Sequence, residues 1–132
     1  MELIADTTFL VGLWRRQPWA IAFAAANPGK SIGLPWVVLG EFWHGAVNAG
    51  HDRERVAKFL EIGIPIMEAG SFIDSYATIC SALQQGGDYR QIGRNDLWIA
   101  AVAANLGCML VTKNIRHFGK IEGLRLEILE KQ

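Results

Sequence analysis

Apolar runs too brief to be helices alternate along this chain with segments of helical period, and that alternation leaves few folds open. Leu3 to Ala5, Ser31 to Leu34, Ile64 to Met67 and Cys108 to Val111 read as buried strands. The Asp6-Thr7-Thr8 turn supplies cap oxygens for a helix reaching about Arg16. Pro18 opens the next helix, Trp19 to Ala26, and Asn27-Pro28-Gly29 ends it. Pro35 admits a helix from Trp36 to Asn48, closed by Ala49-Gly50. His51 to Ile62 is amphipathic, with Val56, Phe59, Leu60 and Ile62 inward. Ser71-Phe72-Ile73-Asp74 has the form of a capping box for a helix running to about Gln85. Gly86 to Arg94 reads as a loop, Asp96 to Leu106 as a small-residue helix ended by Gly107, and Leu124 to Leu129 as a fifth strand at a sheet edge.

Strands that alternate with helices imply right-handed βαβ units. The expected fold is therefore α/β, a three-layer α/β/α sandwich around a mostly parallel sheet of four to five strands. The 132 residues, 51% of them hydrophobic, form one domain over 1–132 with a core of ordinary size.

Thirteen basic and thirteen acidic residues give no net charge, which removes the bulk-charge argument for nucleic-acid binding but leaves room for a local basic patch. Cys80 and Cys108 fit no metal spacing and read as buried thiols of a cytoplasmic protein. Met1-Glu2-Leu3-Ile4 lacks a basic leader region, so no secretory signal is expected. Leu97 to Val111 is nearly apolar but shorter than the roughly 18 residues of a membrane span, so no membrane association is expected.

Three carboxylates stand where apolar residues would be ordinary. Asp6 ends Leu3-Ile4-Ala5, Glu41 lies inside Trp36-Val37-Val38-Leu39-Gly40-Glu41-Phe42-Trp43, and Asp96 opens Leu97-Trp98-Ile99-Ala100-Ala101. A parallel sheet binds ligands beyond the carboxyl ends of its strands. Asp6, Asp96, Glu41 and Thr112-Lys113-Asn114 can all reach that edge. Two carboxylates about 4 Å apart repel by a few kcal/mol at an effective dielectric near 20. A shared divalent cation is the simplest compensator, and oxygen-only ligands select magnesium or manganese. Such a site suits hydrolysis of phosphate esters.

Asp6-Thr7-Thr8, the mid-helix Glu41, Asn95-Asp96-Leu97-Trp98-Ile99-Ala100-Ala101 and Leu110-Val111-Thr112-Lys113-Asn114-Ile115-Arg116-His117-Phe118 together resemble a PIN-domain ribonuclease, most nearly the VapC toxins of toxin–antitoxin pairs. The resemblance covers the whole chain. It implies a Mg2+- or Mn2+-dependent endoribonuclease acting on RNA and restrained by a VapB-like antitoxin. It assigns Asp6, Glu41 and Asp96 as metal ligands, gives Thr7 an assisting hydroxyl, and places Asn114 in the last motif. Many members carry a further acidic residue at the position of Asn114 or His117, and this chain has none there.

Other readings stand beside these. Asp6 and Asp96 each read equally as helix caps, and Glu41 as the partner of a distant cation. His44 reads as a satisfied helix histidine, and the five tryptophans as core or dimer surface. Arg94, Lys113 and Arg116 are candidate phosphate contacts. Aromatic residues in Thr8–Ala26 and Trp36–Asn48 suggest a homodimer or an antitoxin groove. The alternative function is a catalytically silent module that binds RNA or a protein partner. An aspartate-nucleophile phosphatase would need an acid two residues after Asp6, where Thr8 stands. No glycine-rich dinucleotide or P-loop signature is present.

Overall fold

The computed structural model describes residues 1–129. Its elements run β1 (Leu3–Ala5), α1 (Thr7–Trp14), α2 (Pro18–Ala26), β2 (Ile32–Pro35), α3 (Trp36–Ala49), α4 (Arg53–Leu60), β3 (Ile64–Ile66), α5 (Ile73–Gly86), α6 (Arg94–Leu106), β4 (Met109–Thr112), α7 (Ile115–Phe118) and β5 (Leu126–Ile128). All five strands pair in parallel, in the order β3-β2-β1-β4-β5, and helices flank the sheet. The first two crossovers step outward from β1 to β3. The third returns past β1 to β4, so the strand order reverses between β1 and β4 and opens a crevice at their carboxyl ends.

The central strands are buried because helices cover them: Ile4, Ala5, Leu110 and Val111 are wholly inaccessible. Val38, Phe42 and Ala46 form an i, i+4, i+8 stripe that fixes α3 to the core, and each large side chain so buried contributes roughly 1.5–3 kcal/mol. Gly50, at φ 72°, takes the left-handed turn that ends α3 and donates its N–H to Ala46 and Val47. In α6 the small residues Ala100, Ala101 and Ala103 are fully buried beside Leu97, Ile99 and Val102.

Several local expectations change. Ser71 caps nothing: a 3-10 turn over Gly70–Phe72 precedes α5, with Phe72 at the cap position and no side-chain cap bond. Burial of Phe72 draws the chain into that tight turn and leaves Ser71 exposed. α6 begins at Arg94 after Gly93, so Asp96 lies within its first turn rather than capping it. Ile62 is 46% exposed, because α4 ends at Leu60 before its periodicity can turn that side chain inward. A 3-10 turn at Tyr89–Gln91 interrupts the segment expected to be a loop, and a short helix, α7, follows β4 where no element was expected or excluded. Among the described residues no helix is long and apolar enough to cross a membrane.

Candidate active site

Asp6 follows β1 directly and sits at the mouth of the crevice. Its backbone is extended (φ −86°, ψ 175°), and its Oδ1 accepts from the Phe9 amide at 2.9 Å and the Thr8 hydroxyl at 2.7 Å. This is an N-cap, and the sequence alternative for Asp6 is met in full. Its Oδ2 accepts from Thr112 Oγ1, which reaches across from the end of β4 at 2.5 Å. Thr112 in turn accepts from the Asn114 amide at 2.8 Å. The Lys113 amide donates to Thr8 Oγ1 at 3.1 Å. These bonds tie the start of α1 to the β4–α7 turn across the crevice.

Glu41 lies on α3 three residues after buried Val38, on the flank of the apolar stripe, and is half-buried. Its carboxylate accepts from the Thr7 hydroxyl. Asp96 is half-buried on α6, and His117 Nδ1 on α7 donates to its Oδ2. The Asn114 amide stands 2.9 Å from the same ring nitrogen. Among the described residues the only ion pairs are His117–Asp96 and Lys120–Asp88. Among the described residues no lysine or arginine forms an ion pair with Asp6, Glu41 or Asp96.

The electrostatics follow from that arrangement. Burial lifts the Asp6 carboxyl above its ordinary value, donors from Thr112, Phe9 and Thr8 oppose the rise, and the charge on Asp96 adds to it. Burial likewise lifts Asp96, His117 opposes the rise, and the charge on Glu41 adds to it. Asp96 thus feels both other carboxylates. A set of hard oxygen donors raised by burial and mutual repulsion suits a divalent cation of the magnesium or manganese kind. Among the described residues no three His, Cys, Asp or Glu side chains stand ready to hold one ion as they are.

Two clefts open near Glu41, which lines the first of them. One, of about 290 Å³, is lined by Glu41, Gly93, Arg94, Asn95 and Asp96. The other, of about 410 Å³, opens over Thr7 and Thr8 and includes Arg15 and Lys113.

A family profile described as "PIN domain" matches residues 3–124. The chain belongs to the PIN domain family. Ribonuclease VapC1 of Haemophilus influenzae (strain R2866) is 26% identical over 130 residues, covering 95% of this chain and 96% of that protein. Ribonuclease VapC2 of Haemophilus influenzae (strain ATCC 51907 / DSM 11121 / KW20 / Rd) is 24% identical over 96% of this chain and 97% of its own length. The structure of VapBC2 from Rickettsia felis bound to a promoter DNA fragment superposes with a TM-score of 0.77 at 25% identity, covering 98% of this chain and all of that one. VapBC-1 from nontypeable Haemophilus influenzae superposes at 0.81 with 23% identity over 97% of this chain and 98% of that one, a likeness of fold.

In this PIN domain the expected segments converge. Asp6, Thr7, Glu41, Asp96 and Asn114 are linked by hydrogen bonds or by mutual repulsion at one sheet edge. Arg94 lines the cleft beside Glu41 and Asp96, and Lys113 lines the cleft over Thr7. Arg116 is exposed on α7 and lines neither cleft. His44 is exposed, with its Nε2 3.3 Å from the Asn48 amide. Two participants were not singled out from sequence, Thr112 and His117. Both lie inside the quoted last motif, and a hydroxyl at a strand's carboxyl end was the available signal for the first. For His117 the signal was weak, because only α7 turns it back toward Asp96.

The tryptophans mostly pack. Trp14 meets Phe42 and Phe59 edge-on, and Trp98 stacks on Tyr76 at 3.9 Å with Trp36 against its other side.

Proposed function

We propose that this PIN domain is a divalent-metal-dependent endoribonuclease, the toxin of a toxin–antitoxin pair, working in the cytoplasm with a VapB-like antitoxin as its partner. The observation that carries the reading is the gathering of Asp6, Glu41 and Asp96 at the crevice with, among the described residues, no ion pair to a lysine or arginine. The names of the VapC relatives support the substrate class.

Asp6, Glu41 and Asp96 would hold Mg2+ or Mn2+. The cation supplies Lewis acidity toward water and the phosphoryl oxygens. The chain's own groups do the positioning. Thr7 orients Glu41 through its hydroxyl, and Thr8 and Thr112 fix both oxygens of Asp6. His117 holds Asp96 through Nδ1, and the Asn114 side chain packs against the same ring nitrogen. Arg94, at the rim beside Asp96, is placed to meet a phosphate.

The test is cleavage of RNA by the purified chain with Mg2+ or Mn2+, halted by chelator. Failure to cut in either metal, with RNA or antitoxin still bound, favours the silent binding module, for which the His117 grip on Asp96 is the motivating feature.

A further inference from the structure

Trp19 lines the cleft over Thr7 and Thr8, and a cation that lines the same cleft lies over its ring. Lys113 Nζ lies 4.7 Å from its ring centroid. The ring is held from behind by Gly12, where an added Cβ would overlap its tip. Arg16 makes this possible: at φ 55° it takes the left-handed turn between α1 and α2, and Gln17 then donates to the Gly12 carbonyl at 2.9 Å. The floor of the cleft is Thr7 and Thr8, whose hydroxyls bond Glu41 and Asp6. Through those hydroxyls the cleft adjoins Glu41 and Asp6, which do not themselves line it. At about 410 Å³ it lies within the roughly 300–1,000 Å³ usual for ligand sites. Neither Arg15 nor Lys113 is paired with a carboxylate among the described residues.

We propose that this cleft holds one unpaired nucleotide of the RNA next to the cut phosphate, with Trp19 receiving the base and Lys113, with Arg15, the backbone phosphate. The inference rests on the ribonuclease reading and adds to it a nucleotide subsite built from Trp19, Lys113 and Arg15. A half-buried indole held edge-on in a basic cleft is a stacking platform, and a base bound in a duplex cannot reach it. Lys113 leaves the ring when phosphate offers a stronger, charge-assisted bond.

The experiment follows cleavage of a short fluorescein-labelled RNA by the full chain in Mg2+ or Mn2+, comparing an unpaired strand with the same strand in a duplex. The wild type should prefer the unpaired strand. Trp19→Leu should raise KM about tenfold, from the energy of one base–aromatic stack, with kcat within about twofold. Trp19→Phe should restore KM, which a packing role for the indole alone would not predict. Gly12→Ala, by displacing the ring, should act as Trp19→Leu does. Lys113→Ala should flatten the dependence of log kcat/KM on log salt by about 0.7, as loss of one single-strand phosphate contact does, while Trp19→Leu leaves that slope alone. Thermal unfolding identifies any variant that fails to fold, and Trp19→Phe and Lys113→Ala decide the matter if Trp19→Leu does fail. An unchanged KM in Trp19→Leu, or an unchanged slope in Lys113→Ala, overturns the subsite while cleavage itself stands. A wild type that cuts nothing overturns the ribonuclease reading and the subsite with it.

Discussion

Asp88 and Asp96 are eight residues apart, and the fold treats them in opposite ways. Asp88 meets the Lys120 ammonium at 3.1 Å, and Gln91 accepts from the same ammonium at 2.8 Å. Its charge is answered by the protein. Asp96 meets an imidazole and the repulsion of Glu41, and lies beside a third acid that feels it in return. The contrast is between an acid paired with a lysine and acids that, among the described residues, form no ion pair with the lysine and arginines lining the clefts around them. A charge left unanswered inside a folded protein is costly, and a bound proton or a cation relieves it.

The largest effect that could break this contrast is on activity. Asp96→Asn should lower RNA cleavage by at least about 100-fold, the scale of losing a group aimed at the reacting charge, and should weaken Mn2+ binding measured by calorimetry. Asp88→Asn should leave both unchanged. Equal losses in the two variants would erase the distinction.

A smaller effect appears in stability without metal. Burial, reinforced by the neighbouring acids, raises Asp6 and Asp96 above the ordinary 3.8. A carboxyl raised in the folded state contributes stability that is full below its unfolded value and is lost as pH rises through the folded one. In chelator, the denaturation midpoint of the wild type should therefore fall as pH climbs from about 3.8 through the raised folded values. Asp6→Asn should flatten that fall, since the amide keeps an oxygen for Phe9 and Thr8 and carries no charge. A fall of the same steepness in the variant would mean that Asp6 is not a source of the strain.

The smallest effect belongs to the paired acid. Lys120→Ala should lower stability by less than about 1 kcal/mol, as for other surface pairs, with RNA cleavage unaltered. A larger loss in urea titrations would show that the Asp88 side of the contrast carries structural weight of its own.

The layers and the site were legible in the sequence to different depths. β1, β2 and β4 announce themselves as apolar runs bounded by turn residues, and Gly50 and Gly107 mark the ends of α3 and α6 by requiring a left-handed backbone. The carboxylate trio was readable because each acid interrupts an apolar pattern. The Ser71 capping box was misleading, since a local pattern yields to burial of a single large side chain, Phe72. His117 and Thr112 were harder for a related reason: their partners lie 21 and 106 residues away, and no local period encodes a hydrogen bond made by the closure of the sheet.

Asp6 serves two masters, since the same carboxylate that faces the crevice also starts α1. Copies of this chain released from selection for activity should drift unequally. Positions 41 and 96 would be free to fill with almost anything of tolerable size. Position 6 would stay confined to the few short polar side chains that can still begin a helix, chiefly Asp, Asn and Ser. A deep mutational library scored for folding alone would record that asymmetry.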